Sequence, residues 1–531
     1  MAGEIHFISE MRREPRFAPP NYALHITQRL DSSSGTCRPF IATPHRLLRA
    51  GYRKNPPGSQ LGRSETPTQT RFRSCRPQRP LPLRQSAQVQ ALLRQPGPPG
   101  AGGLSLAAGS REIIPGMPIS RRQFLGTAPW LVAYHRAAAA DKGQLRIRDV
   151  QTMVIQGDRT YLLVKVIADD GTFGMGEAYG TPGFGVREQI HALKTWLIGK
   201  DPLEIDKLYT TLGEGAKSLS GTRTDGSAHN FLRAASGIEM ALWDLAGKIL
   251  NVPASKLLGG RFRDRVRVYD HSAPKDMLDK ASCREWAQKA KADPAGFTAH
   301  KFGFPHTSSK NDPAHDAANR VLTTKELIQV RQGFENVREA IGWDHDIMVH
   351  CHWEYDLRTA IQIAEAVAPM KPMWLEDPLQ VDYSDSWKRL VASSTVPICM
   401  GENLARRQGF KDFILNQGCD IINPDLRNSG GFLETKRIAD MADVFGLPMS
   451  THNTASQLHT YSNAQWASSI RDYLVTETVT GQGGWMDQLL VLDGPYIQNG
   501  FIRVNDRPGL GLTLNQDTVK AHLAEGEKWW G

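Results

Sequence analysis

Seven ionisable residues in the second half of the chain, Lys301, His350, Glu376, Glu402, Asp425, His452 and Glu477, each stand at the end of a short apolar run. Their separations are 49, 26, 26, 23, 27 and 25 residues, and all but the first are about one strand plus one crossover helix long. One such residue has a plain reading, because strand ends meet solvent and an acid there can cap the next helix. A register kept over successive units points instead to one shared site. Carboxylates gathered in one place repel each other unless a cation sits among them. Glu376 and Glu402 offer the oxygen ligands that suit a hard divalent ion, Mg2+ first. His452 lies one unit beyond Asp425, where a shared hydrogen bond would fix its tautomer and support an imidazolium.

The elements that must carry these groups are short β-branched runs alternating with amphipathic helical stretches, the pattern of βα units around a buried parallel sheet. Eight strands are expected: Val266 to Asp270, Thr298 to Phe302, Asp346 to Cys351, Pro372 to Leu375, Val396 to Met400, Asp420 to Asn423, Leu447 to Ser450 and Asp472 to Thr476. Between them lie helices such as Leu357 to Val367 and Phe432 to Phe445. In a (β/α)8-type barrel the strand C-termini converge on one mouth, where such barrels place their chemistry.

The rest of the chain bounds the partners. Of 531 residues with net charge +9, the first 116 hold seventeen Lys/Arg against six Asp/Glu and fifteen of the 32 prolines. The remainder is therefore close to neutral. A segment so basic and proline-rich cannot bury enough apolar area to offset chain entropy, and disorder is expected for it. An Arg-rich tail could neutralise phosphates, but an upstream extension is the preferred reading and no nucleic-acid partner is expected. Met117 opens a second start, with Ser120-Arg121-Arg122-Gln123-Phe124-Leu125, an apolar stretch to Tyr134 and Ala137 to Ala140. This is a twin-arginine export pattern. The mature protein would then begin near Asp141 and be periplasmic or exported; otherwise it is cytoplasmic. No run of about 18 apolar residues occurs, so no stable membrane association is expected. Six scattered cysteines without CxxC spacing fit neither a disulfide scaffold nor a structural zinc module.

Residues 145 to 531 resemble the enolase superfamily, in its mandelate racemase-like subgroup, and within it the acid-sugar dehydratases. The resemblance rests on Trp374-Leu375-Glu376-Asp377-Pro378, Gly401-Glu402-Asn403, Asn423-Pro424-Asp425 with Ser429-Gly430-Gly431, and Thr451-His452-Asn453. The segments Gly237-Ile238-Glu239, Ala241 to Lys248 and Leu257-Leu258-Gly259-Gly260 resemble the family's passage from cap to barrel. It implies an α/β fold: an α+β cap over 141–265, a modified TIM barrel of the (β/α)7β kind over 266–490, and a C-terminal segment, 491–531, returning to the cap. It further implies that a divalent ion, held by the ends of strands three to five, binds the substrate carboxylate and the enediolate formed when the α-proton leaves. Carried over, His350, Glu376 and Glu402 hold the metal. His452 with Asp425 is the base, Glu477 a hydrogen-bond partner of the enediolate, and His352 the acid that protonates the departing 3-hydroxyl. A homo-oligomer, dimer to octamer, is the family habit.

Two departures shape the expectation. The third-strand ligand is His350 where the family has aspartate, and imidazole favours Mn2+, Fe2+ or Zn2+ over Mg2+ unless Glu354 or Asp377 assists. At the second strand the racemases resemble Lys-x-Lys, whereas this chain reads Lys301-Phe302-Gly303. Racemisation requires proton transfer on both faces of the substrate, whereas elimination of water needs one base and one acid, so the missing second lysine tilts the reading toward elimination. Lys301 would contact the substrate carboxylate, or else pair with the neighbouring acids. The sequence therefore reads as a metal-dependent hydro-lyase that turns a sugar acid, aldonate or aldarate, into its 2-keto-3-deoxy acid. The alternatives are a racemase or epimerase of a 2-hydroxy acid and a non-catalytic ligand-binding homologue. Loops at Gly176 to Gly185, Gly213 to His229 and Phe304 to Thr323, with His306 and His315, are expected near the pocket. Trp353 and Trp485 could pack on a sugar or serve the core.

Overall fold

The run Thr-Tyr-Leu-Leu-Val-Lys-Val-Ile-Ala is apolar on both faces, and it becomes the middle strand of the first sheet. The computed structural model describes residues 145–180, 185–220, 229–304, 320–353, 355–478 and 484–530. Strands β1 (Ile147–Gln156), β2 (Thr160–Ala168) and β3 (Phe173–Ala178) form an antiparallel sheet in the order β1-β2-β3. Helices Val186–Leu197, Ile205–Ser220 and His229–Leu250 pack against it around a core that includes Val164, Leu193, Leu212 and Leu242.

The third helix approaches β3 closely because β3 carries glycine at two positions. A Cβ on Gly174 would lie 2.0 Å from the Ala241 carbonyl oxygen, and one on Gly176 would lie 2.4 Å from that of Gly237. Glu177 is set by this contact, since it follows Gly176 in the strand. Gly176→Val is expected to lower the unfolding free energy by about 1–3 kcal/mol, the usual cost of overpacking, measured by urea denaturation.

The second sheet contains β4 (Arg265–Tyr269), β5 (Ala299–Phe302), β6 (Asp346–His350), β7 (Leu375–Glu376), β8 (Ile398–Met400), β9 (Ile421–Ile422), β10 (Met449–Thr451) and β11 (Tyr473–Glu477). These eight are parallel and neighbour one another in chain order, β11 pairing back onto β4. A parallel bridge between Asp270 and His300 joins β4 to β5 and closes the ring. The interior is filled by one side chain from most strands: Tyr269, Ala299, Met348, Trp374, Cys399, Ile421 and Val475. This plug is the floor of the site. Helices such as Thr324–Ile341, which opens with a Thr323/Glu326 capping box, and Leu357–Val367, capped by Asp356, cover the outside.

Lys301 and His350 lie within their strands as expected, whereas two ends shift by one residue toward the mouth: Glu376 and Glu477 belong to their strands because the ladder continues through them, as in the pairing of His350 with Glu376. Pro372 has no N–H to give the ladder, so β7 begins after it. The C-terminal segment does two things. Phe501–Arg503, strand β12, pairs antiparallel with the outer side of β4, and Leu523 then bridges to Ile155 in the cap sheet. Lys165 Nζ also donates to the Trp530 carbonyl at 2.8 Å. The extension 1–116, the twin-arginine segment 117–140, Glu354, His306 and His315 lie outside the described residues. No described helix is long and apolar enough to cross a membrane.

Candidate active site

The eight residues expected to hold the metal or do the chemistry, Lys301, His350, His352, Glu376, Glu402, Asp425, His452 and Glu477, come together at the mouth of the barrel. Glu376, fully buried at the end of β7, receives Lys301 Nζ at 2.9 Å and Asn423 Nδ2 at 3.3 Å on one oxygen. The indole of the floor residue Trp374 donates to its other oxygen at 2.7 Å. Glu402 Oε2 lies 3.6 Å from His350 Nε2 and 3.5 Å from His452 Nε2. His350 Nε2 is also 3.7 Å from Glu376 and 3.9 Å from Asp377. Ligand atoms of His350, Glu376, Asp377 and Glu402 all fall within 4.8 Å of one another.

This cluster fits a divalent ion on chemical grounds. Among the described residues, the buried His350 Nε2, Glu402 Oε2 and both side-chain oxygens of Asp377 find no hydrogen-bond partner. Orphaned polar atoms of this kind are costly unless something is bound to them. Burial, with Lys301 and His352 nearby, pushes the His350 imidazole well below its ordinary value, leaving its lone pair free. Burial pushes Glu402 up to about 7 in spite of His452 and Lys301, and burial with Glu402 and Glu376 raises Asp377 well above the carboxylate range. Asp377 is the extra member. It takes φ 47, a left-handed conformation that a non-glycine residue rarely adopts, directly after Glu376.

On the adjoining side, His452 Nδ1 meets Asp425 Oδ2 at 2.9 Å, and its Nε2 faces Glu402 and Glu477, the latter at 3.9 Å. Burial disfavours the imidazolium, but Glu402, Glu477 and Asp425 outweigh it and hold His452 up at about 9. Asp425 stays ionised, far below its ordinary value, because Arg427 and His452 overcome the effect of burial. Lys301 Nζ reaches Glu477 at 3.1 Å as well as Glu376, so the lysine is tied to two acids. Despite burial those carboxylates keep it charged, above its ordinary range. His352 projects from the end of β6 with φ 56 and stacks on the His350 ring, centroids 3.7 Å apart.

Several contributors went unseen in the sequence. His271, just past β4, pairs with Glu477. Arg427 forks onto Asp425, its Nη2 at 2.6 Å and Nε at 3.1 Å. The available signal was Asp-x-Arg directly after a strand. Trp353 stands edge-on to His350, whereas Trp485 stacks on His522, 3.8 Å between centroids. Of the expected pocket loops, Gly176 to Gly185 begins inside β3 and Gly213 to His229 begins inside the helix Ile205–Ser220, whose first turns continue through Gly213; residues 181–184, 221–228 and 305–319 fall outside the described residues.

Comparison with known proteins agrees with this architecture. Residues 144–259 match the mandelate racemase / muconate lactonizing enzyme N-terminal domain, and 283–518 match the enolase C-terminal domain-like family. The chain is 39% identical over 386 residues to D-xylonate dehydratase of Haloferax volcanii, covering 72% of this chain and 90% of that protein. It is 28% identical to D-gluconate dehydratase of Thermoproteus tenax, covering 71% and 74%. A mandelate racemase/muconate lactonizing enzyme-like protein of known structure from Rubrobacter xylanophilus superposes with TM-score 0.67 at 30% identity, over 73% of this chain and 100% of that one. A cap sheet over a closed parallel barrel, with histidines and acids at its mouth, together with matches over both parts, makes this chain a member of the enolase superfamily, in its mandelate racemase/muconate lactonizing enzyme branch.

Proposed function

We propose that the protein removes water from a sugar acid, an aldonate or aldarate, to give the 2-keto-3-deoxy acid. The observation that carries this reading is an asymmetry: one dyad able to take a proton, His452 with Asp425, one further imidazole able to give one, His352, and a lysine already held by two carboxylates. The named activities of the Haloferax and Thermoproteus relatives support an aldonate.

His350, Glu376 and Glu402, with Asp377, would hold the divalent ion. When bound it supplies Lewis acidity at the substrate carboxylate, without which an α-proton is too weakly acidic to leave. The protein does the rest. With an ion held by these ligands, the carboxylates that favour the His452 imidazolium would be offset and its neutral form favoured. Its Nε2 takes the proton from C2, while Asp425 accepts the hydrogen bond from Nδ1–H and fixes the tautomer. The electron pair left at C2 forms the C2–C3 double bond as the C3–O bond breaks, and the oxygen leaves as water with a proton from His352. The resulting enol takes up a proton at C3 and releases the proton of its C2 hydroxyl, the C2–O bond becoming the carbonyl of the 2-keto-3-deoxy acid. Lys301 and His271 keep Glu477 ionised beside the reacting face, far below its ordinary range in spite of burial.

A panel of aldonates and aldarates with Mg2+ and Mn2+, scored for 2-keto acid, tests the reading. Product from one of them is the expected result, and none from any pair overturns it. A racemase would instead place solvent deuterium at C2 without loss of water. The metal is Mg2+, or a softer ion if the His350 imidazole decides it. In the latter case His350→Asp shifts the Mn2+/Mg2+ affinity ratio toward Mg2+ by about tenfold, or about 1.4 kcal/mol, in competition titrations.

A further inference from the structure

A second group of buried charges lies behind the base, and it begins in the cap. Glu177 on β3 is 1% exposed and reaches across to the barrel, accepting from the Ser456 backbone N–H at 3.1 Å and from the Ser456 hydroxyl. Its Oε1 is 3.9 Å from Arg427 Nη1. Arg427, 2% exposed, places its fork on Asp425 and also donates to Thr454 Oγ1 at 3.3 Å. Its guanidinium stacks over the ring of Tyr179, two residues beyond Glu177 in the chain, at 4.6 Å. On the same ring, at 4.2 Å, lies Arg233 from the cap helix, whose Nε donates to Asn428. Asn428 in turn donates to the backbone carbonyl of Glu402 at 3.0 Å.

A planar guanidinium held at several edges leaves a bonded carboxylate little freedom, and Lys cannot reproduce that grip. Asp425 Oδ2 is shared between Arg427 Nη2 and His452 Nδ1, so the place of Arg427 sets the place of the imidazole. Arg427 is itself fixed from outside the barrel. The two cap glycines that let the helix approach β3 fix the strand bearing Glu177.

We propose that Arg427 is a positioning residue for the His452/Asp425 dyad, and that the cap holds it there through Glu177 and Tyr179. The base of the barrel is then assembled only when the cap is docked on it. This rests on the dehydratase reading for its kinetic half alone. An imidazole displaced by about 1 Å costs about 10²-fold in rate.

The test compares Glu177→Gln and Arg427→Lys with the parent protein, using whichever aldonate or aldarate the parent turns over. The expected result is a loss in kcat of about 10²-fold with KM changed less than about threefold, since both side chains are committed to protein partners, Arg427 to Asp425 and Glu177 to Ser456. A second readout needs no turnover: the low-field proton NMR resonance of the His452 Nδ1–H, assigned by its loss in His452→Asn. It is expected in the parent and lost or shifted in both variants. Arg427→Lys retains the charge beside Glu177 and Asp425, and it keeps the test open if Glu177→Gln does not fold. Unchanged kcat, a resonance absent from the parent, or a resonance that both variants retain overturns the proposal. If the parent turns over no sugar acid, the dehydratase reading fails while the resonance still decides the clamp.

Discussion

His452→Asn is expected to lower kcat for dehydration by about 10³- to 10⁴-fold, the upper part of what a positioned general base supplies. The same variant should lose exchange of the C2 proton with deuterated solvent, because His452 Nε2 faces the acids of the metal cluster while its Nδ1 is committed to Asp425. His352→Asn separates the two halves of the reaction. Its ring stacks on His350 but carries no part of the dyad, so C2 exchange should persist while 2-keto acid formation falls by about 10²-fold or more. Proton NMR of the substrate in deuterated buffer reads both quantities in one experiment. Exchange surviving in His452→Asn would remove the histidine from the role of base.

What could be read beforehand follows from where information sits along the chain. The register of His350, Glu376, Glu402, Asp425, His452 and Glu477 was visible because each βα unit repeats at nearly constant length, and a parallel barrel brings every strand end to one mouth. Leu357–Val367 was legible to the residue because its apolar positions fall at helical intervals. The first strand was read as ending at Asp270, and His271 was missed. The Asp270 side chain turns away to His300 at 2.5 Å, and it is the next residue that reaches Glu477. Strand β12 was missed because three residues carry no period. Arg427 carried a signal, Asp-x-Arg after a strand, but Glu177 was invisible for a different reason: its meaning is the contact between cap and barrel, with a partner about 250 residues away in sequence.

Lys301→Met is expected to destabilise the metal-free protein by about 3–5 kcal/mol, the effect of removing one partner from a buried ion pair. The size follows from the surroundings. Lys301 Nζ is the shared cation of Glu376 and Glu477, at 2.9 and 3.1 Å, and all three side chains are essentially without solvent. Methionine fills the volume but leaves two carboxylates facing each other, with Glu402 close by on the other side of His350. Their mutual repulsion in a poorly screened site is what unfolds the variant, so neutralising one of them should help. Adding Glu477→Gln to Lys301→Met should recover part of the loss, and the coupling from the double-mutant cycle in urea denaturation measures the pair directly. Additive losses would mean that Lys301 does not serve the acids, and the alternative of a substrate contact would then account for its place at the mouth.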